Sequence, residues 1–123
     1  MELIHTCYRV TDPQRSIAFY EALGLEKRRE LPIRDEAVNY FLGVPGNELP
    51  ELELTHNFGV DSYDIGTGYG HIALTVEDLD GTLEELAGQG IEPERPPYQV
   101  REGGSRICFV RDPDGYRVEL IER

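Results

Sequence analysis

The sequence is short of positive charge. Only 12 of its 123 residues are Lys or Arg, against 24 Asp or Glu, for a net charge of −12. Lys27 is the lone lysine. An imbalance beyond the about 2–8 charges usual for a small domain repels a phosphate backbone and excludes nucleic acid as a partner. Cysteine is scarce too: Cys7 and Cys108 have no CxxC spacing and are too few for a disulfide framework, which suits a reducing compartment. No apolar run approaches the roughly 20 residues of a spanning helix, and Met1-Glu2 opens neither a basic nor an apolar leader. The expectation is a soluble, cytoplasmic protein without a membrane partner. The 39% hydrophobic share supports one core in a single domain over 1–123, and the chain is too short for two full-size domains.

What is present is a repeat. A shift of 66 residues places His5 on His71, Val10 on Val76, Asp12 on Asp78, Gly24 on Gly90, Glu53 on Glu119 and Leu54 on Leu120. The repeats are 1–58 and 70–123, with 59–69 as a glycine-containing connector. Each begins with a strand, Leu3 to Val10 and Gly70 to Val76. Asp12 and Asp78 then offer N-caps, and Pro13 sits where its missing N–H costs nothing. The helices that follow bury Ile17, Tyr20 and Leu23, and Leu79, Leu83 and Leu86; Gly24 and Gly90 end them in the left-handed conformation. Three short strands complete each half. They are expected at Leu25 to Arg29, Asn39 to Val44 and Glu51 to Thr55, then at Glu92 to Arg95, Ile107 to Val110 and Arg117 to Ile121. Asp112-Pro113-Asp114-Gly115 forms the turn between the last two. The plan is α+β, βαβββ twice.

His5 and Glu53 are 48 residues apart, and so are His71 and Glu119. Strand parity groups His5, Cys7 and Arg9 on one face, opposite Tyr8 and Val10, and groups Glu53, Thr55 and Asn57 opposite Leu52 and Leu54. Glu119 sits between Val118 and Leu120, an acid between two core-facing neighbours, and such a carboxylate needs a partner. A lone strand histidine is ordinarily a hydrogen-bonded structural residue. Two His and two Glu related by one internal shift point instead to a divalent metal, since imidazole and carboxylate together suit such ions and leave a position open for chemistry. Cys7 reads as a small buried thiol. His56 has the wrong parity for the set.

The segments Leu3-Ile4-His5-Thr6 with Arg9-Val10, Leu52-Glu53-Leu54-Thr55-His56-Asn57, Tyr69-Gly70-His71-Ile72 and Asp112 to Glu119 resemble glyoxalase I, the lactoylglutathione lyases of the vicinal-oxygen-chelate superfamily, over essentially the whole chain. The resemblance implies two βαβββ modules in a cup-shaped half-barrel, and a homodimer with sites between subunits. It implies His5, Glu53, His71 and Glu119 as metal ligands. Zinc-type relatives carry Gln in the first ligand position and a longer connector, so His5 implies the bacterial class, with nickel as cofactor and cobalt or zinc as alternatives. The implied reaction isomerises the methylglyoxal–glutathione hemithioacetal to S-lactoylglutathione through an enediolate, with Glu119 as base and Glu53 on the opposite face. Arg9 and Asn57 match positions that hold the γ-glutamyl end of glutathione, and Arg95 and Arg101 positions near the glycyl carboxylate; Thr67 stands where some relatives have another Arg. The alternatives on the same fold are an acyl-thioester epimerase, a thiol transferase, a ring-cleaving dioxygenase and a metal-free drug-binding module.

Overall fold

Each repeat half begins with a strand and a capped helix. In the computed structural model, which describes residues 1–123, the chain divides into two units, Met1–Asp64 and Ile65–Arg123. The first contains β1 (His5–Arg9), α1 (Pro13–Ala22), β2 (Glu26–Ile33), β3 (Ala37–Gly43) and β4 (Glu51–Asn57). The second contains β5 (Ile72–Val76), α2 (Leu79–Gly88), β6 (Tyr98–Gln99), β7 (Arg106–Arg111) and β8 (Arg117–Glu122).

The helix ends are built as the sequence predicts. Asp12 accepts from the Arg15 amide at 3.3 Å and Asp78 from the Gly81 amide at 3.0 Å. Pro13 opens α1. Gly24 and Gly90 have φ of 106° and 80°. The flanking amides of Leu25 and Ile91 return to Tyr20 and Leu86 carbonyls at 3.1 and 2.9 Å, so both helices close with the same double-bonded stop. In the first unit Ile17, Tyr20 and Leu23 are buried as expected, together with Phe19. In the second Leu79 and Leu86 are fully buried and Leu83 half-buried.

Each unit is one four-stranded mixed sheet, ordered β1-β4-β3-β2 and β5-β8-β7-β6. The first and last strands of each unit pair in parallel, His5 opposite Glu51 and Ile72 opposite Val118. Alternation along β4 and β8 buries Leu52 and Leu54, and Val118 and Leu120, on the face that α1 or α2 covers.

Three expectations need correction. The first strand starts at His5 instead of Leu3, and Leu3 and Ile4 are exposed. Pro50 has no amide to offer, so pairing starts where the Glu51 amide reaches the Ile4 carbonyl at 2.8 Å. No strand forms over Glu92 to Arg95; Pro93, Pro96 and Pro97 remove donors a ladder needs, so a single bond from the Glu94 amide to the Phe109 carbonyl, at 2.9 Å, stands there and the paired strand is reduced to Tyr98 and Gln99. The second strand is longer than expected, running to Ile33 along the sheet edge.

The turn at 112–115 holds β7 to β8. Asp112 is 4% exposed, and its Oδ1 accepts from the amides of Asp114 and Tyr116, both at 2.9 Å. Gly115, at φ 97°, donates to the Asp112 carbonyl at 2.9 Å. Asp112→Ala strips two amides of their acceptor and is expected to lower the unfolding free energy by about 1–3 kcal/mol. An unchanged urea midpoint would show that the carboxylate does not hold the turn.

Candidate functional site

The parallel pairing explains the repeated spacing. Partners across β1–β4 and β5–β8 differ by 46 in number, and the acid lies two residues further on, so His and Glu occupy adjacent rows of one face. The His5 Nε2 lies 3.8 Å from Glu53 Oε2, and the His71 Nε2 lies 3.0 Å from Glu119 Oε1. The two carboxylate side chains are 14% and 19% exposed and the imidazoles 39% and 33%, which leaves the pairs open on their solvent side. A neutral imidazole beside a carboxylate fits a borderline divalent ion. Neither unit by itself gathers a third His, Cys, Asp or Glu into a metal-binding group.

Register aligns the rest of the first unit's face into rows. Cys7, Glu53, Phe41 and Arg29 are opposite one another across the four strands, and Arg9, Thr55, Asn39 and Leu31 form the next row. Cys7 is exposed, which corrects the expectation of a buried thiol: β1 is an edge strand and Cys7 lies on the face away from Tyr8 and Val10. Its sulfur meets Thr55 Oγ1 at 3.2 Å, and that hydroxyl donates to Asn39 Oδ1 at 2.8 Å. Crowding by its neighbours raises the thiol pKa, so Cys7 is a poor nucleophile at neutral pH. Asn57 donates from Nδ2 to the Tyr63 hydroxyl at 3.1 Å. His56 is on the other face, with its ring 5.4 Å from that of Phe58.

In the second unit the equivalent row contains Ala73, Glu119 and Phe109, and the next contains Thr75, Ile121, Ile107 and Tyr98. Beyond the His–Glu pair the first unit's face is polar and the second's largely apolar. Arg95 is exposed, its guanidinium 3.5 Å from the centre of the Tyr98 ring, and Arg101 opens an exposed turn closed by the Gly104 amide at 3.0 Å.

Sequence reading missed several residues that frame the pairs. Phe41 and Phe109 sit opposite Glu53 and Glu119. Glu51, 7% exposed, takes a bidentate pair from Arg29, both contacts at 2.9 Å. Arg117 is clamped likewise by Glu94, at 2.8 and 2.7 Å. Phe41 and Phe109 differ by 68 and not 66, so the shift that aligned the ligands stepped past them; register alone brings them out. Arg28 bonds the carbonyls of Glu48 and Val44 at 2.9 and 2.8 Å, and that of Asn47. Gly43 makes room for it, since a Cβ there would lie 2.3 Å from the guanidinium carbon.

The fold and the paired sites define a class. The chain belongs to the Glyoxalase/Bleomycin resistance protein/Dioxygenase superfamily, whose sequence profile matches residues 2–120. Within it, the chain groups with the lactoylglutathione lyases. It is 44% identical over 125 residues to the lactoylglutathione lyase of Salmonella typhimurium, covering 99% of this chain and 93% of that protein. It is 46% identical over 123 residues to lactoylglutathione lyase GLX1 of Arabidopsis thaliana, covering 98% of this chain and 44% of that protein. The crystal structure of glyoxalase I from Zea mays superposes with a TM-score of 0.88 at 42% identity, over 98% of this chain and 44% of that one. The chain thus spans less than half the length of these plant relatives and nearly all of the bacterial one.

The Arg117–Glu94 pair has a pH signature. Hydrogen bonding from Arg117 holds the Glu94 carboxyl below its ordinary value. A carboxylate depressed on folding contributes stability above its unfolded pKa, about 4.3, and loses that contribution as pH falls through the lower folded value. Glu94→Gln is therefore expected to be less stable than the parent at pH 7, with the difference shrinking below about pH 4.3. Thermal melts from pH 7 to 3 test this; a gap that stays constant would remove the ion pair as its source.

Proposed function

We propose that this chain is a divalent-metal-dependent lactoylglutathione lyase that isomerises the hemithioacetal of methylglyoxal and glutathione to S-lactoylglutathione. The observation that carries the proposal is the His–Glu pair built twice at one register, in a chain of this family. His5, Glu53, His71 and Glu119 together would form a set of two nitrogens and two carboxylates. When bound, the metal supplies Lewis-acid stabilisation of the charge that develops on the substrate's two adjacent oxygens. A histidine at position 5 supports nickel, with cobalt and zinc as alternatives, and the bacterial class of these enzymes. Each unit holds two ligands, which supports a homodimer in which pairs from two copies complete the sets. The free thiols Cys7 and Cys108 agree with a reducing, cytoplasmic setting.

Glu119 takes the proton from the carbon bearing sulfur and hydroxyl and delivers it to the neighbouring carbonyl carbon, while the hydroxyl proton passes to the oxygen there. The thioester carbonyl and the new alcohol result, with no net gain or loss of atoms or electrons. Glu53 serves the opposite face of the substrate. Glutathione carries two carboxylates into a protein of charge −12, so cations must receive them. Arg9 and Asn57 lie on the polar face of the first unit, sharing parity with Glu53, and suit the charged γ-glutamyl end. Arg95 and Arg101 suit the glycyl carboxylate.

Thioester absorbance followed with methylglyoxal and glutathione tests the proposal. Chelated protein is expected to be inactive, and nickel to restore more turnover than zinc. Glu119→Gln is expected to lower kcat by a factor on the order of 10² or more; full activity in that variant would remove Glu119 as the base. Equilibrium dialysis that finds no stoichiometric divalent ion would overturn the lyase reading and favour a metal-free binding module.

A further inference from the structure

Both His–Glu pairs stand against the same four-part stack. In the first unit the His5 ring meets Phe41 nearly edge-to-face, at 6.2 Å and 73°, the Arg29 guanidinium sits 4.0 Å from the centre of the Phe41 ring, and Glu51 clamps that guanidinium with two hydrogen bonds. In the second, His71 meets Phe109 at 4.9 Å and 87°, Arg117 sits 4.0 Å from the centre of the Phe109 ring, and Glu94 clamps it with two hydrogen bonds.

The order Glu–Arg–Phe–His is thus the same, while the strands supplying its charges are exchanged. A shift of 66 residues puts Glu51, the acid of the first stack, on Arg117, the arginine of the second, while Arg29 falls on Arg95 and not on Glu94. In the first unit the arginine comes from β2 and the acid from β4. In the second the arginine comes from β8 and the acid from the segment before β6. Simple repetition of sequence does not produce this agreement; the guanidinium reaches the same place over the ring from positions that the repeat does not align. A clamped guanidinium over a phenyl face fixes the ring. A fixed ring in turn restricts the imidazole, as outer-shell partners orient metal-ligating histidines.

We propose that Phe41 and Phe109, held by Arg29 and Arg117, are positioning residues for the imidazoles of His5 and His71. This rests on the metal-site reading above. Phe41→Leu and Phe109→Leu keep apolar bulk but remove the ring; each is expected to weaken nickel binding by about 10–100-fold, measured by chelator competition, and to shift the visible absorption bands of the cobalt-loaded protein. Arg117→Gln, which leaves Phe109 in place but unpinned, is expected to shift the same bands in the same direction by a smaller amount. Phe19→Leu, on the buried side of α1, controls for lost stability: it is expected to lower the melting temperature without moving affinity or bands. Folded Phe41→Leu and Phe109→Leu proteins with parental affinity and spectrum would overturn the positioning role. A parent chain that binds no divalent ion would overturn the metal-site reading itself.

Discussion

The parallel pairing of β1 with β4, and of β5 with β8, governs the placement of every candidate ligand. Parallel neighbours cannot be joined by a hairpin, so each unit sends a helix and two strands around before its last strand returns beside its first. That return sets the register at which His5 faces Glu51 and Ile72 faces Val118. A one-residue slip would turn Glu53 or Glu119 into the core and Leu54 or Leu120 out of it. The fully buried Leu54, Val118 and Leu120 oppose such a slip through the hydrophobic area it would expose. The site and the core are therefore specified by the same strands, on opposite faces.

The few arginines do distinct work. Arg28, Arg29, Arg106, Arg111 and Arg117 all pair with carboxylates, and they also organise neighbouring structure. Arg28 gathers the carbonyls of 44–48, and Arg106 joins Asp80 at the start of α2 to Glu122, which itself accepts from the Leu79 amide at 2.9 Å. Arg29 stacks on Phe41 and Arg117 on Phe109. The guanidinium fork makes these paired contacts where an ammonium would act as a point charge, a physical use for a cation set that is nearly all arginine.

The two faces are not copies. Where the first unit places Cys7, Arg9 and Thr55, the second places Ala73, Thr75 and Ile121, while the His–Glu pairs and the phenylalanines beside them remain. The His71–Glu119 pair is also tighter than the His5–Glu53 pair, 3.0 Å against 3.8 Å. What the two faces share is thus small, the His–Glu pair and its phenylalanine, and the residues around each differ in polarity.

Local chemistry made much of the fold readable from the chain alone. Asp12 and Asp78 as caps, Gly24 and Gly90 as helix stops and the Asp112–Gly115 turn each depend on a few neighbouring residues, so the sequence determines them wherever they fall. The His and Glu positions were readable for a different reason: a register repeated in two halves leaves the same numerical interval in both. The exposure of Cys7, the loss of a strand to the prolines at 93–97 and the stacks of Arg29 on Phe41 and Arg117 on Phe109 were decided only in three dimensions. Each depends on which strand lies at an edge or which side chain arrives from a distant segment. Contacts of that kind carry no interval of their own: the acid clamping Arg29 is 22 residues away and the acid clamping Arg117 is 23 residues away on the opposite side in sequence, although both guanidinia come to rest 4.0 Å from a ring centre.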